Sequence, residues 1–199
     1  MKVIVIGAQG DIGQAVCAEL SARHEIIQVG RSGGDIQADI SDRASLEAMY
    51  RKTGKVDGVV STAGSVHFGP LGAMTEEQFM LGLANKVMGQ VNVVLAGLDH
   101  VSEGGSFTLT SGVLDRDPVR QGSAAATANG ALGGFVAGAA IELPRSLRIN
   151  VVSPGLLDVS EQRYGYLFPG HERVPSGRVG RAFAKSVEGA VTGQVIIVQ

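Results

Sequence analysis

The sequence predicts a single α/β domain, residues 1–199, built on a doubly wound parallel sheet of about seven strands. Short apolar runs rich in β-branched residues alternate with amphipathic segments along the whole chain, which is the pattern of successive strand–helix units. No internal repeat divides the chain, and its length suffices for one sizeable hydrophobic core.

The predicted strands are residues 1–6, 24–30, 35–40, 56–61, 106–111, 147–152 and 194–198. The third is unusual, because only the residues from Arg31 to Gly34 separate it from the second. A crossover between parallel strands normally needs about a dozen residues or more, usually as a helix. We therefore expect a stub or an irregular edge strand at this position.

The predicted helices are residues 11–22, a segment beginning at Ser41, a long segment beginning at Thr75, residues 123–143 and residues 179–188. Ser41 is the expected cap of the second helix. Thr75 and Gln78 have the spacing of a capping box. Residues 161–176 are expected to form a loop that carries Tyr164, Tyr166, Phe168 and His171.

Composition excludes several classes of function. A net charge of −2 favours neither nucleic acid nor a membrane surface as a partner. The single cysteine, Cys17, provides no disulfide framework, and no spacing of His, Cys or carboxylates predicts a metal site. The short N-terminal apolar run does not fit a signal peptide, so we expect a soluble, cytoplasmic protein.

The strongest functional signal is the glycine spacing that follows the first strand, with Gly7, Gly10 and Gly13 at every third position. Such a corner lets backbone amides and a helix N-terminus approach a diphosphate, while the last glycine allows the helix to pack closely on the strand. The pattern predicts a Rossmann-like dinucleotide site. The residues placed to contact the cofactor are Gly7, Gln9, Gly10, Asp11 and Ile12.

The end of the second strand indicates which dinucleotide binds. An acidic residue there would bond the adenosine ribose and repel a 2′-phosphate, but the position holds Gly30, followed by Arg31 and Ser32. A guanidinium beside a hydroxyl suits a 2′-phosphate. We therefore expect NADP(H) rather than NAD(H), the alternative being that Arg31 is a solvated residue in a turn.

Taken together, these features resemble the short-chain dehydrogenase/reductase family over nearly the whole chain. Asp39-Ile40 matches the family's Asp-hydrophobic pair beside the adenine. Ser61-Thr62-Ala63-Gly64 stands where the family has Asn-Asn-Ala-Gly, which lines the cofactor. Ser153-Pro154-Gly155, followed by Leu156, matches the element that contacts the nicotinamide. The resemblance implies that Asp39, Ile40, Ser61, Ala63, Gly64, Pro154, Gly155 and Leu156 contribute to the cofactor site.

The catalytic residues depart from the family pattern. Ser111 matches the serine that orients the substrate oxygen, but the positions of the Tyr-x-x-x-Lys motif hold Ala125 and Asn129. The family's water-chain asparagine aligns with Asn85 by residue type and with Lys86 by its distance to Gly89; helix phase favours Lys86. The resulting hypothesis is an exchange between helices, in which Lys86 supplies the cation near the ribose and Asn129 the amide. A solvated surface Lys86 is the alternative.

Two functions remain open. The first is an NADP(H)-dependent oxidoreductase acting on a small carbonyl or alcohol through Ser111, Lys86 and Asn129. The missing phenol would be replaced by Ser111 with a water, by a desolvated Lys86, or by Tyr164, Tyr166 or His67 from nearby loops. The second is a non-catalytic NADP(H) sensor. By the same resemblance, the helices beginning at Thr75 and Ser123 would pair two copies into a homodimer or a homotetramer.

Overall fold

The computed structural model describes all residues, 1–199, and confirms the predicted fold class. Seven parallel strands form one sheet in the order β3-β2-β1-β4-β5-β6-β7. They are β1 (Lys2–Ile6), β2 (Glu25–Gly30), β3 (Ile36–Gln37), β4 (Val56–Ser61), β5 (Val101–Thr110), β6 (Arg148–Pro154) and β7 (Val195–Val198). The strand order reverses between β1 and β4, which is the place where ligands bind in sheets of this kind.

Helices cover both faces of the sheet. They are α1 (Asp11–Leu20), α2 (Arg43–Thr53), α3 (Glu76–Leu81), α4 (Met88–Gly97), α5 (Ser123–Ala139), α6 (Glu161–Tyr164) and α7 (Ser176–Glu188). One core of 20 buried residues joins the sheet to α2, α4 and α5, and a second of 14 joins it to α1 and α7. The sheet is therefore buried on both sides, as its apolar strands require.

The short third strand matches the expectation of a stub. β3 has two residues and pairs only through Val29–Ile36 and Gly30–Gln37. Gly34, at φ +91°, reverses the chain after β2. The backbone amide of the next residue, Asp35, donates to the Gln28 carbonyl at 2.8 Å. The connection forms an extended return along the sheet edge.

Some local features differ from the sequence prediction. α2 is capped by Asp42, whose carboxylate accepts from the Ala44 amide at 2.9 Å, and not by Ser41. The Ser41 hydroxyl instead accepts from the Asn85 side chain at 2.7 Å, so the residue predicted to cap α2 makes a tertiary contact. Residues 161–176 also contain the short helix α6 and a 3₁₀ turn, Gly165–Leu167, where a loop was expected.

The long helix beginning near Thr75 is continuous but not uniform. Its capping box forms as predicted, and a π-helical turn, Gly82–Val87, then separates α3 from α4. The whole run, Glu76–Gly97, is long and apolar enough to cross a membrane by length and composition alone. In this fold its Val93 and Val94 join the core formed by α2 and the sheet, and the buried Tyr50 hydroxyl of α2 donates to the Val93 carbonyl at 2.8 Å.

Candidate active site

The glycine corner after β1 is tightly packed. Gly7 has φ +83°, and a Cβ there would lie 2.7 Å from the Thr62 hydroxyl oxygen. A Cβ on Gly13 would lie 2.1 Å from the Gly7 carbonyl oxygen, so α1 can approach β1 only through glycine. No side chain caps α1, and the backbone amides of its first turn have no acceptor within the helix. The corner thus presents unpaired donors and the positive end of a helix dipole.

Asp11 stands at this corner with its carboxylate engaged. It accepts a hydrogen bond from the Ser160 hydroxyl at 2.6 Å and lies 3.6 Å from the Arg163 guanidinium. These contacts join the glycine corner to the segment that follows β6. Asp11 therefore offers its backbone amide, rather than its side chain, to a ligand.

At the end of β2, the Gln9 carboxamide fills the space that a side chain at position 30 would occupy. A Cβ on Gly30 would lie 2.0 Å from Gln9 Oε1, and one on Gly34 would lie 3.1 Å from Gln9 Nε2. The backbone is also close, since the Gly33 carbonyl oxygen is 2.8 Å from the Gly30 Cβ position. An acidic side chain at position 30 has no room while Gln9 keeps this position.

These residues border a cleft of about 210 Å³ at the point where the strand order reverses. It is lined by the predicted residues Gly7, Gln9, Gly10, Arg31, Asp39, Ile40, Ala63 and Gly64, together with Ile6, Gly30, Ala38, Ser65 and Asn85. Ser32 is exposed in the turn after β2 and lies outside this lining. We call this space the nucleotide cleft.

A second space of about 420 Å³, the inner cavity, continues from the nucleotide cleft, with Gly64 and Ser65 lining both. Its walls include the predicted residues Ile12, Lys86, Ser111, Asn129, Pro154, Gly155 and Leu156. Most of the remaining wall is apolar, from Val66, Phe68, Val113, Leu114, Leu157, Leu167 and Phe168. The structure thus gathers the predicted catalytic residues in one apolar space next to the nucleotide cleft.

Lys86, Asn129 and Ser111 are in direct contact. The Lys86 ammonium donates to Asn129 Oδ1 at 2.7 Å and to the Ser111 backbone carbonyl at 3.0 Å. Burial of the ammonium lowers the pKa of Lys86 from its usual 10.5 to about 8, and the Asp115 carboxylate offsets this lowering in part. A lysine in this setting can gain and lose a proton near neutral pH.

The Ser111 hydroxyl has no partner. The residue is 5% exposed, follows the last residue of β5, and its Oγ forms no hydrogen bond within the protein. A buried hydroxyl without a partner costs free energy that a ligand oxygen can recover. The orphan hydroxyl therefore points to a polar ligand atom beside Lys86.

Other predicted residues lie elsewhere. Ser61 is fully buried within the sheet, and its side chain lines neither space, contrary to the expectation that it contacts the cofactor. Ser61 pairs in register with Ile6 of β1, and its backbone carbonyl accepts a hydrogen bond from the Thr110 hydroxyl at 2.7 Å. Asn85 lines the nucleotide cleft, where its Oδ1 accepts from the Ser65 amide at 2.7 Å. His67 stays outside the inner cavity, beside Gly69.

The two tyrosines of the late segment are separated. Tyr164 lines the inner cavity, whereas Tyr166 is 80% exposed and faces a different space. The third tyrosine of the chain, Tyr50, is buried in the core. Ser160 lines the inner cavity, and its contact with Asp11 could not be predicted from the sequence, because the two residues are 149 positions apart and only the fold brings them together.

Comparison with known proteins now adds to this geometry. Residues 2–198 match the family model described as enoyl-(acyl carrier protein) reductase. The chain belongs to the short-chain dehydrogenase/reductase family. Members of this family bind nicotinamide cofactors and act on small molecules.

Curated relatives of this short-chain dehydrogenase/reductase span most of its length. An uncharacterized oxidoreductase of Methylorubrum extorquens is 28% identical over 97% of this chain and 94% of its own. Versicolorin reductase 1 of Aspergillus parasiticus is 28% identical over 87% of this chain and 74% of its own. The similarity extends well beyond the glycine corner.

Solved structures agree. The protein lin1944 of Listeria innocua superposes with a TM-score of 0.98 at 45% identity, covering 100% of both chains. A small-chain dehydrogenase in complex with NADPH superposes with a TM-score of 0.87 at 26% identity, covering 100% of this chain and 96% of its own. The fold and its connections are therefore shared with full-length members of the family.

Proposed function

We propose that this protein is an NADP(H)-dependent oxidoreductase that reduces a small carbonyl compound, or oxidises the corresponding alcohol, at Ser111 and Lys86. The observation that carries the proposal is the orphan Ser111 hydroxyl beside the buried Lys86 ammonium, in an apolar cavity continuous with the nucleotide cleft. The related structure bound to NADPH supports the choice of cofactor.

The residues present fit a dinucleotide. The α1 amides offer donors to a diphosphate, Gly7 and Gly13 of the glycine corner leave no room for a Cβ, and Arg31 at the end of β2 supplies a positive charge. Gln9 fills the space at position 30 that an acidic side chain would need in order to bind the adenosine ribose of NAD(H). Its presence there supports a preference for NADP(H). A bound nicotinamide supplies hydride chemistry in this family.

The residues of the chain hold the substrate oxygen and transfer one proton to it. The Ser111 hydroxyl donates a hydrogen bond to that oxygen and so orients the carbonyl. Lys86 Nζ holds the proton that the oxygen takes up on reduction, either directly or through Ser111 Oγ. Asn129 positions Nζ by accepting from it. The mostly apolar walls lower the local dielectric constant, which strengthens these interactions.

The test of this function is oxidation of NADPH with a panel of aldehydes and ketones. Ser111→Ala is expected to lower kcat/KM about 100-fold, because the substrate oxygen loses its donor. Ser106→Ala is the matched control: Ser106 lies in β5, the strand that leads to Ser111, is also buried and also has an unpartnered hydroxyl, but it lines neither space. Equal activity of the two variants would contradict the proposal.

A second function is favoured by one observation. Helix α5 carries Ala125 and Asn129 at the inner cavity and contains neither Tyr nor Lys. A protein that retained the nucleotide cleft without this acid–base pair would serve as an NADP(H) sensor. Tight NADPH binding without turnover of any carbonyl in the panel would support that function instead.

The cofactor preference has its own test. Calorimetric titration is expected to show tighter binding of NADPH than of NADH, with the difference reduced about tenfold by Arg31→Ala. Arg51→Ala, at an exposed arginine on α2, is the control. Equal affinity for both nucleotides in the wild type would contradict the role of Arg31.

We also propose that two copies pair through the Glu76–Gly97 run and α5 in a cytoplasmic homodimer or homotetramer. Met80, Leu81, Met88 and Leu95 expose apolar surface on this run, and Gly134 and Gly138 of α5 have open space where a Cβ would lie. Such surfaces allow close packing of helices. Light scattering coupled to gel filtration measures the mass, and a monomeric mass would reject the pairing.

A further inference from the structure

A third space, the outer chamber, lies beyond the inner cavity and has a similar volume of about 420 Å³. It is lined by Pro118, Val119, Arg120, Gln121, Tyr166, Leu167, Pro169 and His171. None of these residues belongs to the nucleotide cleft, and only Leu167 also lines the inner cavity. Leu167 is therefore the wall residue that the two spaces share.

The walls of the outer chamber are fixed by hydrogen bonds. Gln121 adopts φ +65° and its carbonyl accepts from the Gly69 amide at 3.0 Å, which ties this wall to the loop after β4. On the other wall, the Phe168 amide donates to the Gly165 carbonyl at 3.0 Å, and the Phe168 and His171 rings meet edge to face at 5.3 Å. The chamber is thus a formed part of the fold.

One arginine at the chamber has no partner within the protein. Arg120 is exposed and forms no ion pair or hydrogen bond with the protein. The neighbouring Asp117 carboxylate lies 3.2 Å from His171 Nε2 and is therefore directed to the imidazole rather than to Arg120. The Arg116 guanidinium is bound to Asp115 and to the Ser153 hydroxyl. Arg120 is the free cation of this chamber.

The connection to the inner cavity is apolar. Leu167 and Phe168 line the inner cavity together with Ser111, and Leu167 and Val119, which line the outer chamber, pack on the same apolar cluster. A ligand that crosses from one space to the other must therefore carry an apolar middle section. A ligand whose far end is a carboxylate would meet the Arg120 guanidinium, which binds carboxylates by paired hydrogen bonds.

We propose that the outer chamber is a second substrate subsite, which binds the carboxylate end of an elongated carbonyl compound while its carbonyl lies beside Ser111. The inference rests on the proposed function and adds the substrate class, an amphiphilic oxo acid with an apolar chain. Leu167 separates the two ends of the substrate, and Arg120 selects those that carry a negative charge.

The test is calorimetric binding of ω-hydroxydecanoate and of its methyl ester to the full-length protein, with and without NADP⁺. The carboxylate is expected to bind about tenfold more tightly than the ester, and Arg120→Gln is expected to abolish that difference. Arg178→Gln is the matched control, since Arg178 is exposed, unpaired and remote from both linings. Leu167→Trp is expected to weaken binding of both long ligands but not of propanol.

Equal binding of acid and ester, an unchanged preference in Arg120→Gln, or no binding of either ligand would overturn the subsite. Because binding requires no turnover, these outcomes are independent of catalysis. A protein that reduces short aldehydes with NADPH but shows no preference for the carboxylate would retain the proposed function and lose the outer subsite. Carboxylate-selective binding without any reduction would support the outer subsite and contradict the proposed function.

Discussion

Replacing Lys86 by methionine changes how the stability of the protein depends on pH. Burial lowers the pKa of Lys86 to about 8, whereas the unfolded chain keeps the usual value of 10.5. Between these values the unfolded state binds more protons than the folded state, so the free energy of unfolding rises with pH. Below about 8 both states are protonated, and the folded state bears the cost of a buried ammonium.

The size of the effect follows from the shift. At about 1.4 kcal/mol per pKa unit, Lys86 adds about 3 kcal/mol to the free energy of unfolding as the pH rises from about 8 to about 10.5. Methionine keeps an unbranched chain of similar length without the charge. The difference in the free energy of unfolding between the wild type and Lys86→Met should therefore change by about 3 kcal/mol, in favour of the wild type, between about pH 8 and about pH 10.5.

The assay is urea unfolding followed by circular dichroism at a series of pH values. Subtracting the two profiles removes the titration of all other groups, and any constant cost of leaving Asn129 without its donor does not vary with pH. Lys52→Met, at an exposed lysine on α2, should run parallel to the wild type. Parallel profiles for Lys86→Met and the wild type would refute the buried, easily deprotonated lysine.

Two further substitutions test the glycine corner and the end of β2. Gly13→Ala should destabilise the protein by about 1–3 kcal/mol in urea unfolding, because its Cβ would lie 2.1 Å from the Gly7 carbonyl oxygen. Gly177→Ala, on the exposed surface of α7, should instead stabilise it by about 0.5–1 kcal/mol, and similar effects of both would contradict this account. Gly30→Asp should displace the Gln9 carboxamide and lower NADPH affinity about tenfold or more without loss of NADH binding. A loss of both nucleotides in calorimetry would show a collapsed corner rather than a change of preference.

The sequence predicted the parts of the fold that depend on local pattern. Strand–helix alternation predicted the seven-stranded sheet, and the short connection after β2 predicted a stub or an irregular edge at β3, because no helix fits in so short a link. The glycine spacing placed Gly7 and Gly13 at a close approach of strand and helix, as the structure shows.

What the sequence could not give depends on distant contacts. Ser41 and Asp42 are both good caps, and the choice of Asp42 follows from Asn85 binding the Ser41 hydroxyl across 44 positions. The π-helical turn at Gly82–Val87 interrupts a regular apolar pattern that carries no sign of it. Strand alternation alone did not reveal that Ser61 lies fully buried in the sheet.

The candidate site shows the same division. Helix phase favoured Lys86 over Asn85 at the site, and the structure brings Lys86 to Asn129 and Ser111. Their catalytic roles remain predictions. The outer chamber was beyond sequence reasoning, because it forms between the segment around Arg120 and the turn at Leu167, which were expected to be irregular.

The pH dependence of kcat/KM shows whether Lys86 provides the proton in an NADPH-dependent carbonyl reduction. The value of kcat/KM for reduction should be constant below about pH 8 and should fall about tenfold per pH unit above it, as the Lys86 ammonium loses its proton. The fall should be absent from the residual activity of Lys86→Met. A rate that does not fall through this range, or a fall that persists in the variant, would contradict the claim.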